Sequence, residues 1–364
     1  MSFTSTRDPG LIKAHRPREH GPVVAESRAQ TPVAYPHIAL VVPPVEGGVT
    51  DYATRLQAAV GRGGATVLRV NKARREALTS QRDALMVQYS GYGYAKRGAP
   101  LWLLRELETR RAEIGRLGVF FHEVYAFGPA WSSSFWMSPF QRNIARRLVD
   151  LCDFWVTNRE ESATWLRRWG GGKPNRVLPV FSTVGESATL PATRSKNVVV
   201  FGGSAVRRRT YTVVGDRLFA WARSQSLTIH DVGPSMNDAS VARLLNGNNA
   251  VQHGRLPEPV VSGILAEARF GVIGYPVDCL AKSTVFAAYC AHGICPLVIS
   301  SHDGPADGLS AGHQYIPGIP SGPVSETRRR QIGDAAWAWY QPHGIGSHAA
   351  ALERLMAGTD SVAC

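Results

Sequence analysis

A regular alternation between short apolar runs and longer segments of helical periodicity constrains the fold of this chain most. After residue 37, six apolar runs follow one another: "HIALVV", "ATVLRV", "ALMVQY", "LGVFFHE", "FWVTN" and "RVLPVF". Between them apolar residues recur with a period near 3.6, which indicates helices. Short, nearly continuous apolar runs are typical of parallel strands that are buried on both faces. The sequence therefore predicts an α/β fold in which a parallel sheet is covered by helices.

The alternation stops once and then restarts, which predicts two domains. The polar, proline-containing stretch "STVGESATLPATRSKN" interrupts it, and "VVVFGG", "LTIHDVG", "AVQHG", "FGVIGY" and "CPLVIS" form a second series. We expect an α/β domain at residues 37–190 and a second one at 191–335, with a linker near 182–195. The residues after 335 predict helices split at Pro342 and Gly344. Residues 1–36 are rich in Pro, Arg and Ser and predict a disordered leader.

Composition narrows the class of protein. Hydrophobic residues make up 44% of the 364 residues, which is a globular composition, and the sequence predicts no membrane-spanning helix. The five cysteines include no CxxC pair and no metal-ligand spacing, which predicts reduced thiols in a cytoplasmic protein and no metal bound through cysteine; they are Cys152, Cys279, Cys290, Cys295 and Cys364.

The net charge of +13 allows three kinds of partner: nucleic acid, an anionic membrane surface or a phosphate-bearing ligand. No nucleic-acid recognition motif is present. The stretch "LLRELETRRAEIGRL" predicts one basic helix that carries Arg105, Arg110, Arg111 and Arg116. That helix would either bind the inner face of the cell membrane or present a solvated face, and the sequence leaves both open.

A glycine pair follows the first strand. In "VVPPVEGGVTDYATRL", Gly47 and Gly48 precede a helix for which Thr50 or Asp51 is the expected N-cap. Glycines let a ligand approach the backbone, and the amides at a helix N-terminus attract anions. The alternative is a plain turn between strand and helix. The spacing matches neither a dinucleotide fingerprint nor a P-loop.

His122 and Glu123 end the fourth strand. A histidine beside a carboxylate at a strand end can act as a base or orient a hydroxyl. A structural histidine, with Glu123 capping the next segment, is the alternative.

The second series repeats the strand and glycine turn. In "VVVFGGSAVRRRTY", Gly203 is followed by three consecutive arginines, of which we favour Arg208 or Arg209 as a phosphate ligand. Consecutive helical residues point in different directions, so a solvated helix face remains the alternative.

The stretch "FGVIGYPVDCLAKSTVFAAYCAHGICPLVIS" predicts a second anion site. A strand ends near residue 275, a loop contains Asp278, and Lys282, Ser283 and Thr284 begin a helix. The alternative is that Ser283 only caps the helix and Lys282 is a surface charge.

The order of these segments resembles that of bacterial GT-B glycosyltransferases of the family 4 type. The stretches that carry the resemblance span most of residues 37–300, and they are "GGVTDYATRL", "VQYSGYGYAKRGAPLWLL", "VFFHEVYAFG", "VVFGGSAVRRRTY", "HGRLPEPVVSGILAEARFGVI" and "LAKSTVFAAYCAHGICPLVIS". The resemblance implies two Rossmann-like domains that face a central cleft. The acceptor would lie on the first domain and the donor on the second, and the helices at 336–364 would pack back on the first domain.

The resemblance also implies roles for individual residues. Gly47 and Gly48 would face the donor diphosphate or the acceptor, and His122 would lie beside the reacting sugar. The donor would be bound by Gly203, Arg208, Arg209, Asp278, Lys282, Ser283 and Thr284, of which Arg208 and residues 282–284 would lie at its phosphates. The acceptor side would be lined by Tyr89, Tyr92 and Tyr94.

The sequence departs from the family pattern at two positions. Leu280 and Ala288 stand where the family has two glutamates, and Asp278 or Glu258 would have to replace them. The expected function is transfer of a sugar from a nucleoside-diphosphate sugar, as co-substrate, to a saccharide or lipid-linked acceptor. No metal or tightly bound cofactor is expected, since no DxD motif is present. The alternatives are a GT-B nucleotide-sugar epimerase or hydrolase, a non-catalytic scaffold and, last, a nucleic-acid-binding protein.

Overall fold

Two parallel six-stranded sheets frame the computed structural model, which describes residues 1–2, 34–78, 82–125, 133–302 and 304–359. The predicted disordered leader falls almost entirely outside these residues, and Cys364 lies outside them too. Residues from Ala34 onward form one compact unit. The prediction of an α/β fold with two parallel sheets is confirmed.

The first sheet contains all six strands predicted from the first series of apolar runs. Its order is β2-β1-β3-β4-β5-β6, and every pair is parallel. The five residues of β1 are all buried, as expected for a central strand covered on both faces. The strands are β1 Ile38–Val42, β2 Ala65–Arg69, β3 Arg82–Tyr89, β4 Ile114–Phe121, β5 Phe154–Thr157 and β6 Asn175–Val177.

The second sheet contains the five strands of the second series and one more. Its order is β12-β11-β10-β7-β8-β9, again parallel. The additional strand β12 has two residues and lies at the sheet edge, too short for a periodicity signal. The strands are β7 Asn197–Phe201, β8 Thr228–Val232, β9 Val251–Gly254, β10 Phe270–Gly274, β11 Cys295–Ile299 and β12 Ile316–Pro317.

Helices connect the strands on both sheets. We call the first sheet with its helices the first α/β unit, and the second sheet with its helices the second α/β unit. The helices of the first unit are α1 Gly48–Ala59, α2 Gly91–Tyr94, α3 Leu101–Thr109, α4 Ser133–Leu151 and α5 Glu160–Gly170. Those of the second unit are α6 Ser204–Val214, α7 Asp216–Ser224, α8 Ala239–Gly247, α9 Glu258–Glu267 and α10 Thr284–Ala291.

Two further helices, α11 Glu326–Tyr340 and α12 Ile345–Ala357, end the described chain and are separated by a short 3-10 turn at Gln341–His343. Helix α12 packs against α1 of the first unit. Its His348 accepts a hydrogen bond from the Tyr52 hydroxyl at 2.6 Å through Nδ1, while Nε2 lies 2.9 Å from the carbonyl oxygen of Pro179. The chain end is thereby attached to both the first unit and the segment that leaves β6.

The prediction of one basic helix is wrong. Helix α3 ends at Thr109, and Arg116 lies on strand β4, where its Nε donates to the carbonyl of Leu355. Arg110 pairs with Glu106 and Glu113, and Arg111 pairs with Asp153. Arg110, Arg111 and Arg116 therefore have partners within the protein, and the four arginines do not form one basic face. Within the described residues, no helix is both long and apolar enough to cross a membrane.

The start of α1 also differs from the prediction. Gly47 is its N-cap, and the amide of Asp51 donates to the Gly47 carbonyl at 2.9 Å, so Thr50 and Asp51 lie inside the first turn. The Thr50 hydroxyl instead donates to the Val45 carbonyl at 3.0 Å and holds the loop before the helix.

Candidate active site

The two α/β units enclose a cleft that contains two adjoining cavities. The larger, of about 560 Å³, is lined by segments that follow β4, β5 and β10, and the smaller, of about 240 Å³, reaches the start of α1 and α10. His122, Glu123 and Lys282 line both. Ligands of parallel α/β sheets bind beyond the carboxyl ends of the strands, which is where these cavities lie.

His122 is held by the neighbouring strand and by aromatic rings. Its backbone amide donates to the Tyr89 carbonyl at 2.9 Å, and its Nε2 lies 2.9 Å from Gln88 Oε1. The Phe120 and Tyr52 rings lie 4.2 Å and 5.0 Å from the imidazole, centroid to centroid. Burial, with a smaller contribution from His348, lowers the pKa of His122 to about 3. The imidazole is therefore neutral near pH 7 and suits hydrogen bonding better than proton abstraction.

Glu123 and Lys282 meet across the cleft. Lys282 Nζ, from the second unit, lies 3.6 Å from Glu123 Oε1 of the first unit. The Ser90 hydroxyl donates to Glu123 Oε2 at 3.3 Å. The Glu123 side chain is 45% exposed, which leaves its carboxylate accessible to a ligand. The structure thus brings together a carboxylate and an ammonium group that the sequence places far apart.

Arg159 and Asp278 form a second ion pair across the cleft. Arg159 follows β5 in the first unit, and its Nη2 lies 3.5 Å from Asp278 Oδ2. Arg159 also pairs with Glu161, and its buried Nε has no hydrogen-bond partner among the described residues. Sequence reasoning missed Arg159, although "FWVTNRE" gives the same signal as His122: a polar residue directly after a predicted strand. Asn158 was missed for the same reason and lines the smaller cavity.

The helix N-termini predicted to bind anions lie at or near the smaller cavity. Gly48 lines it, and a Cβ atom at Gly47, Gly48 or Gly203 would meet nothing within 4 Å. Gly203 is the N-cap of α6, and a Cβ on its neighbour Gly202 would lie 2.8 Å from Val285 of α10, so the starts of α6 and α10 are adjacent. The backbone at these turns is open to a ligand.

Ser283 and Thr284 begin α10 and differ in what they contact. The Ser283 hydroxyl accepts a hydrogen bond from the Phe286 amide at 3.2 Å and caps the helix. Thr284 lines the smaller cavity. Ser283 therefore has a structural role, while Thr284 is available to a ligand.

The three consecutive arginines of α6 separate into different environments. Arg207 is 1% exposed, forms an ion pair with Asp231 and donates to the Gly202 carbonyl at 2.9 Å. Arg208 is exposed and lines neither cavity. The Arg209 guanidinium lies 6.0 Å from the centre of the Tyr275 ring, which lines the smaller cavity. Arg209 is thus the arginine of this group nearest the cleft.

Only one of the three predicted acceptor-side tyrosines lines the cleft. Tyr92 is 43% exposed and lines the larger cavity. Tyr89 is fully buried against Phe121, and the Tyr94 hydroxyl lies 2.9 Å from the Val41 carbonyl oxygen in the core. Tyr89 and Tyr94 support the strands that carry the site. Aromatic residues of the larger cavity that the sequence reasoning missed are Tyr125 and Trp165.

The positions that depart from the family pattern contribute no carboxylate. Leu280 is 1% exposed and Ala288 is fully buried. Of the two candidate replacements, Asp278 lines the larger cavity, whereas Glu258 pairs with Arg55 of α1. Among the described residues, no three His, Cys, Asp or Glu side chains are grouped as metal ligands.

The fold is shared with solved sugar-processing proteins. No protein-family model and no curated protein matches the chain. A putative UDP-N-acetylglucosamine 2-epimerase from Listeria monocytogenes has a TM-score of 0.55 at 12% identity, covering 90% of this chain and 98% of its own. AviGT4, a glycosyltransferase involved in avilamycin A biosynthesis, has a TM-score of 0.50 at 13% identity, covering 88% and 98%.

The GtfA/B complex has a TM-score of 0.52 at 15% identity, and the matched region covers 79% of this chain and 60% of that chain. At these identities the similarity defines the architecture alone: the protein has the GT-B fold, with two parallel α/β units around a cleft.

Proposed function

We propose that this protein is a glycosyltransferase that uses a nucleoside-diphosphate sugar and a hydroxyl of a saccharide or lipid-linked acceptor. The observation that carries the proposal is the meeting, in one cleft, of Lys282 and open helix starts with His122 and Glu123. Lys282 and the helix starts suit a diphosphate, whereas His122 and Glu123 suit sugar hydroxyls. No metal or tightly bound cofactor is part of the proposal.

The donor diphosphate would lie at the adjoining N-termini of α6 and α10. Backbone amides, the helix dipoles and Lys282 Nζ would stabilise the negative charge that grows on the diphosphate as its bond to the sugar breaks. Arg209, next to Tyr275, is a further cation near these helix starts. Binding of phosphate oxygens to Lys282 would also release Glu123 from its ion pair.

The acceptor hydroxyl would lose its proton to Glu123. The acceptor oxygen then bonds to the anomeric carbon, and the electron pair of the broken bond leaves with the diphosphate. His122, neutral at physiological pH, would hydrogen-bond a sugar hydroxyl through the ring nitrogen that does not contact Gln88. The division of roles follows from exposure: the carboxylate is accessible, and the imidazole is held rigidly by its neighbours.

The test is a thermal-shift panel of UDP, GDP and ADP with their common sugars, followed by a transfer assay with the nucleotide that binds. A ligand at about one hundred times its dissociation constant stabilises the fold by about 2.7 kcal/mol. Lys282→Ala should abolish most of that stabilisation and lower transfer by about a hundredfold. Arg217→Ala removes one exposed positive charge outside both cavities and is the matched control. Absence of a selective nucleotide shift in the unmodified protein would refute the proposal.

A nucleotide-sugar epimerase or hydrolase is the second candidate. It is favoured by the fold that this chain shares, over 90% of its length, with the putative UDP-N-acetylglucosamine 2-epimerase. Such an enzyme would release an epimer or a free sugar from the nucleotide-sugar alone. Product analysis without any acceptor distinguishes it, since a transferase needs the acceptor for turnover.

A further inference from the structure

Three aromatic side chains form a line that leads out of the larger cavity. Tyr125 and Trp165 line the cavity, with ring centroids 5.4 Å apart, and Trp169 follows at 6.2 Å from Trp165. Trp165 and Trp169 are four residues apart on α5 and therefore share one helix face. Trp169 is 42% exposed, so the line ends at the protein surface. We call Tyr125, Trp165 and Trp169 the aromatic ridge.

Two arginines of α4 lie on the aromatic ridge. The guanidinium of Arg142 is 4.3 Å from the centre of the Tyr125 ring, and that of Arg146 is 4.4 Å from the centre of the Trp169 ring. They too are four residues apart, so one turn of α4 places both on the same side, next to α5. Cation–π contacts of this kind contribute about 0.5–1 kcal/mol at exposed sites and hold the guanidinium groups in place.

These arginines keep capacity for an anionic ligand. Arg142 makes no ion pair within the described part of the chain, and Arg146 lies 3.9 Å from the exposed Asp150, beyond hydrogen-bond distance. A guanidinium stacked on a ring still presents its N–H groups at its edge. It can therefore bind a carboxylate or sulfate in bidentate fashion.

The two ends of this path differ in charge. The carboxylates that line the cavity, Glu123, Glu161 and Asp278, are paired there with Lys282 and Arg159, so that end has little net charge and offers its polar groups to hydroxyls. Arg142 and Arg146 lie at the aromatic ridge, where acidic groups are attracted. A ligand that fits both ends has a neutral hydroxyl-bearing part in the cavity and an acidic part outside it.

We propose that the aromatic ridge binds an acidic saccharide chain, as the part of the acceptor that extends beyond the reacting sugar. The assignment of this chain as acceptor rests on the proposed transferase function, whereas its binding to the ridge does not. Sugar rings present C–H faces to aromatic side chains and hydroxyls to polar ones. The ridge and the cavity supply both in sequence along one path.

A membrane surface fits the aromatic ridge less well. Insertion at a lipid interface requires apolar side chains that protrude. On the ridge, Tyr125 and Trp165 are half-buried, and arginines lie over Tyr125 and Trp169. Among the described side chains of α4, the exposed large apolar ones are Trp136 and Phe140, 68% and 60% exposed, and neither belongs to the ridge.

The experiment measures binding of charged and neutral oligosaccharides to the full chain by calorimetry. The acidic probes are oligogalacturonate and dextran sulfate oligomers, and their neutral counterparts are methyl-esterified oligogalacturonate and dextran. We expect at least one acidic probe to bind about tenfold or more tightly than its neutral counterpart. Trp169→Ala and the double variant Arg142→Gln/Arg146→Gln should each weaken that binding about tenfold.

The control for overall charge is Arg217→Gln/Arg243→Gln, two exposed arginines of α7 and α8 in the second unit. It removes the same charge as the ridge variant and should leave oligosaccharide binding within about twofold. Equal losses in the two double variants would show unspecific charge attraction and overturn the proposal. So would the absence of any preference for an acidic probe over its neutral counterpart.

Two further readouts separate this proposal from its alternatives. Anionic phospholipid vesicles that bind the protein through Trp136 and Phe140, and displace the acidic probe, would assign the surface to a membrane and overturn the saccharide assignment. The nucleotide shift of Trp169→Ala should equal that of the unmodified protein. Nucleotide binding without saccharide binding overturns the ridge proposal alone, whereas saccharide binding without nucleotide binding refutes the transferase proposal and leaves ridge binding intact.

Discussion

Beneath the cleft, the two α/β units are supported by polar side chains of different kinds. At the first unit these are uncharged histidines: the half-buried His122 and the buried His348 of α12 both contact the Tyr52 ring, with centroids 5.0 Å and 5.7 Å from it. The second unit buries an ion pair, in which Arg207 and Asp231 are 1% and 4% exposed. The N-termini of α1 and α6 both follow a glycine turn, but the side chains packed beneath them differ. Those beneath α1 should respond to acid, and those beneath α6 should respond to the loss of a charge partner.

The supports also explain which residues remain available to a ligand. Asp231 accepts hydrogen bonds from Arg207 and from the Tyr211 hydroxyl, the latter at 3.0 Å, so Arg207 is fully occupied beneath the Gly203 turn. In the first unit, His348 holds Tyr52 by its hydroxyl, and the Tyr52 ring in turn packs edge-on against His122. His122 remains at the cavity wall because its neighbours fix it there.

The largest effect is expected from breaking the buried ion pair. Asp231→Ala leaves the Arg207 guanidinium buried without its carboxylate and should lower the free energy of unfolding by about 3–5 kcal/mol. Urea denaturation measures it. Arg208→Ala, an exposed neighbour, should change stability by less than about 0.5 kcal/mol. The combined replacement Arg207→Met/Asp231→Leu should lower the free energy of unfolding by less than Asp231→Ala does. An equally large decrease would show that lost packing, and not the unpaired charge, destabilises Asp231→Ala.

A smaller effect is expected from acid in the first unit. Burial lowers the pKa of His348 to about 3, so the unfolded chain takes up its proton first, below about pH 6.5. The contribution is fully present above that pH and falls as the pH drops toward 3. The contribution of His348 to the free energy of unfolding should be about 2 kcal/mol smaller at pH 5 than at pH 7. In urea denaturation at both pH values, His348→Gln should remove that part of the acid sensitivity, whereas an unchanged difference would contradict the neutral, buried histidine.

The smallest changes in stability are expected from alanine substitutions at the glycine turns of the two units. Gly48 is the first helical residue of α1, so Gly48→Ala should stabilise the protein by about 0.4–1 kcal/mol. Gly203 is the N-cap of α6, where alanine is disfavoured, so Gly203→Ala should destabilise by about 0.5 kcal/mol. Both additions should weaken binding of a ligand that touches the turns.

The control for these turns is Gly263→Ala on α9, where an added Cβ also meets nothing within 4 Å. It should stabilise the helix by up to about 1 kcal/mol without changing nucleotide binding. Thermal unfolding with and without the nucleotide measures both quantities. If Gly48→Ala and Gly203→Ala changed stability in the same direction, the predicted difference between the first helical residue of α1 and the N-cap of α6 would be wrong.

Local sequence patterns predicted the strands well and the charged surfaces poorly. All eleven predicted strands are present, because continuous apolar runs bounded by turns have few other ways to be buried. The prediction of one basic helix containing Arg105 and Arg116 was wrong because the helical spacing of the sequence continues beyond the end of α3 and into β4. The two-residue strand β12 was missed because it is too short to carry a pattern.

The candidate site was predicted in part. The rule that functional residues follow strands led to His122, Glu123 and Lys282, which line both cavities. Applied to the fifth strand, the same rule would have led to Arg159. Tyr89 and Tyr94 were chosen for their ring chemistry, but alternation along a strand and packing around a short helix place both rings in the core.

The sequence by itself determined the two parallel sheets, the glycine turns and the start of α10, because each depends on residues close together in the chain. The tertiary structure decided that Glu123 meets Lys282, that Arg159 meets Asp278 and that Arg142 lies over Tyr125. Such pairs depend on how helices and strands distant in sequence are positioned. That positioning follows from the packing of whole apolar faces, so the sequence around either partner carries no record of it.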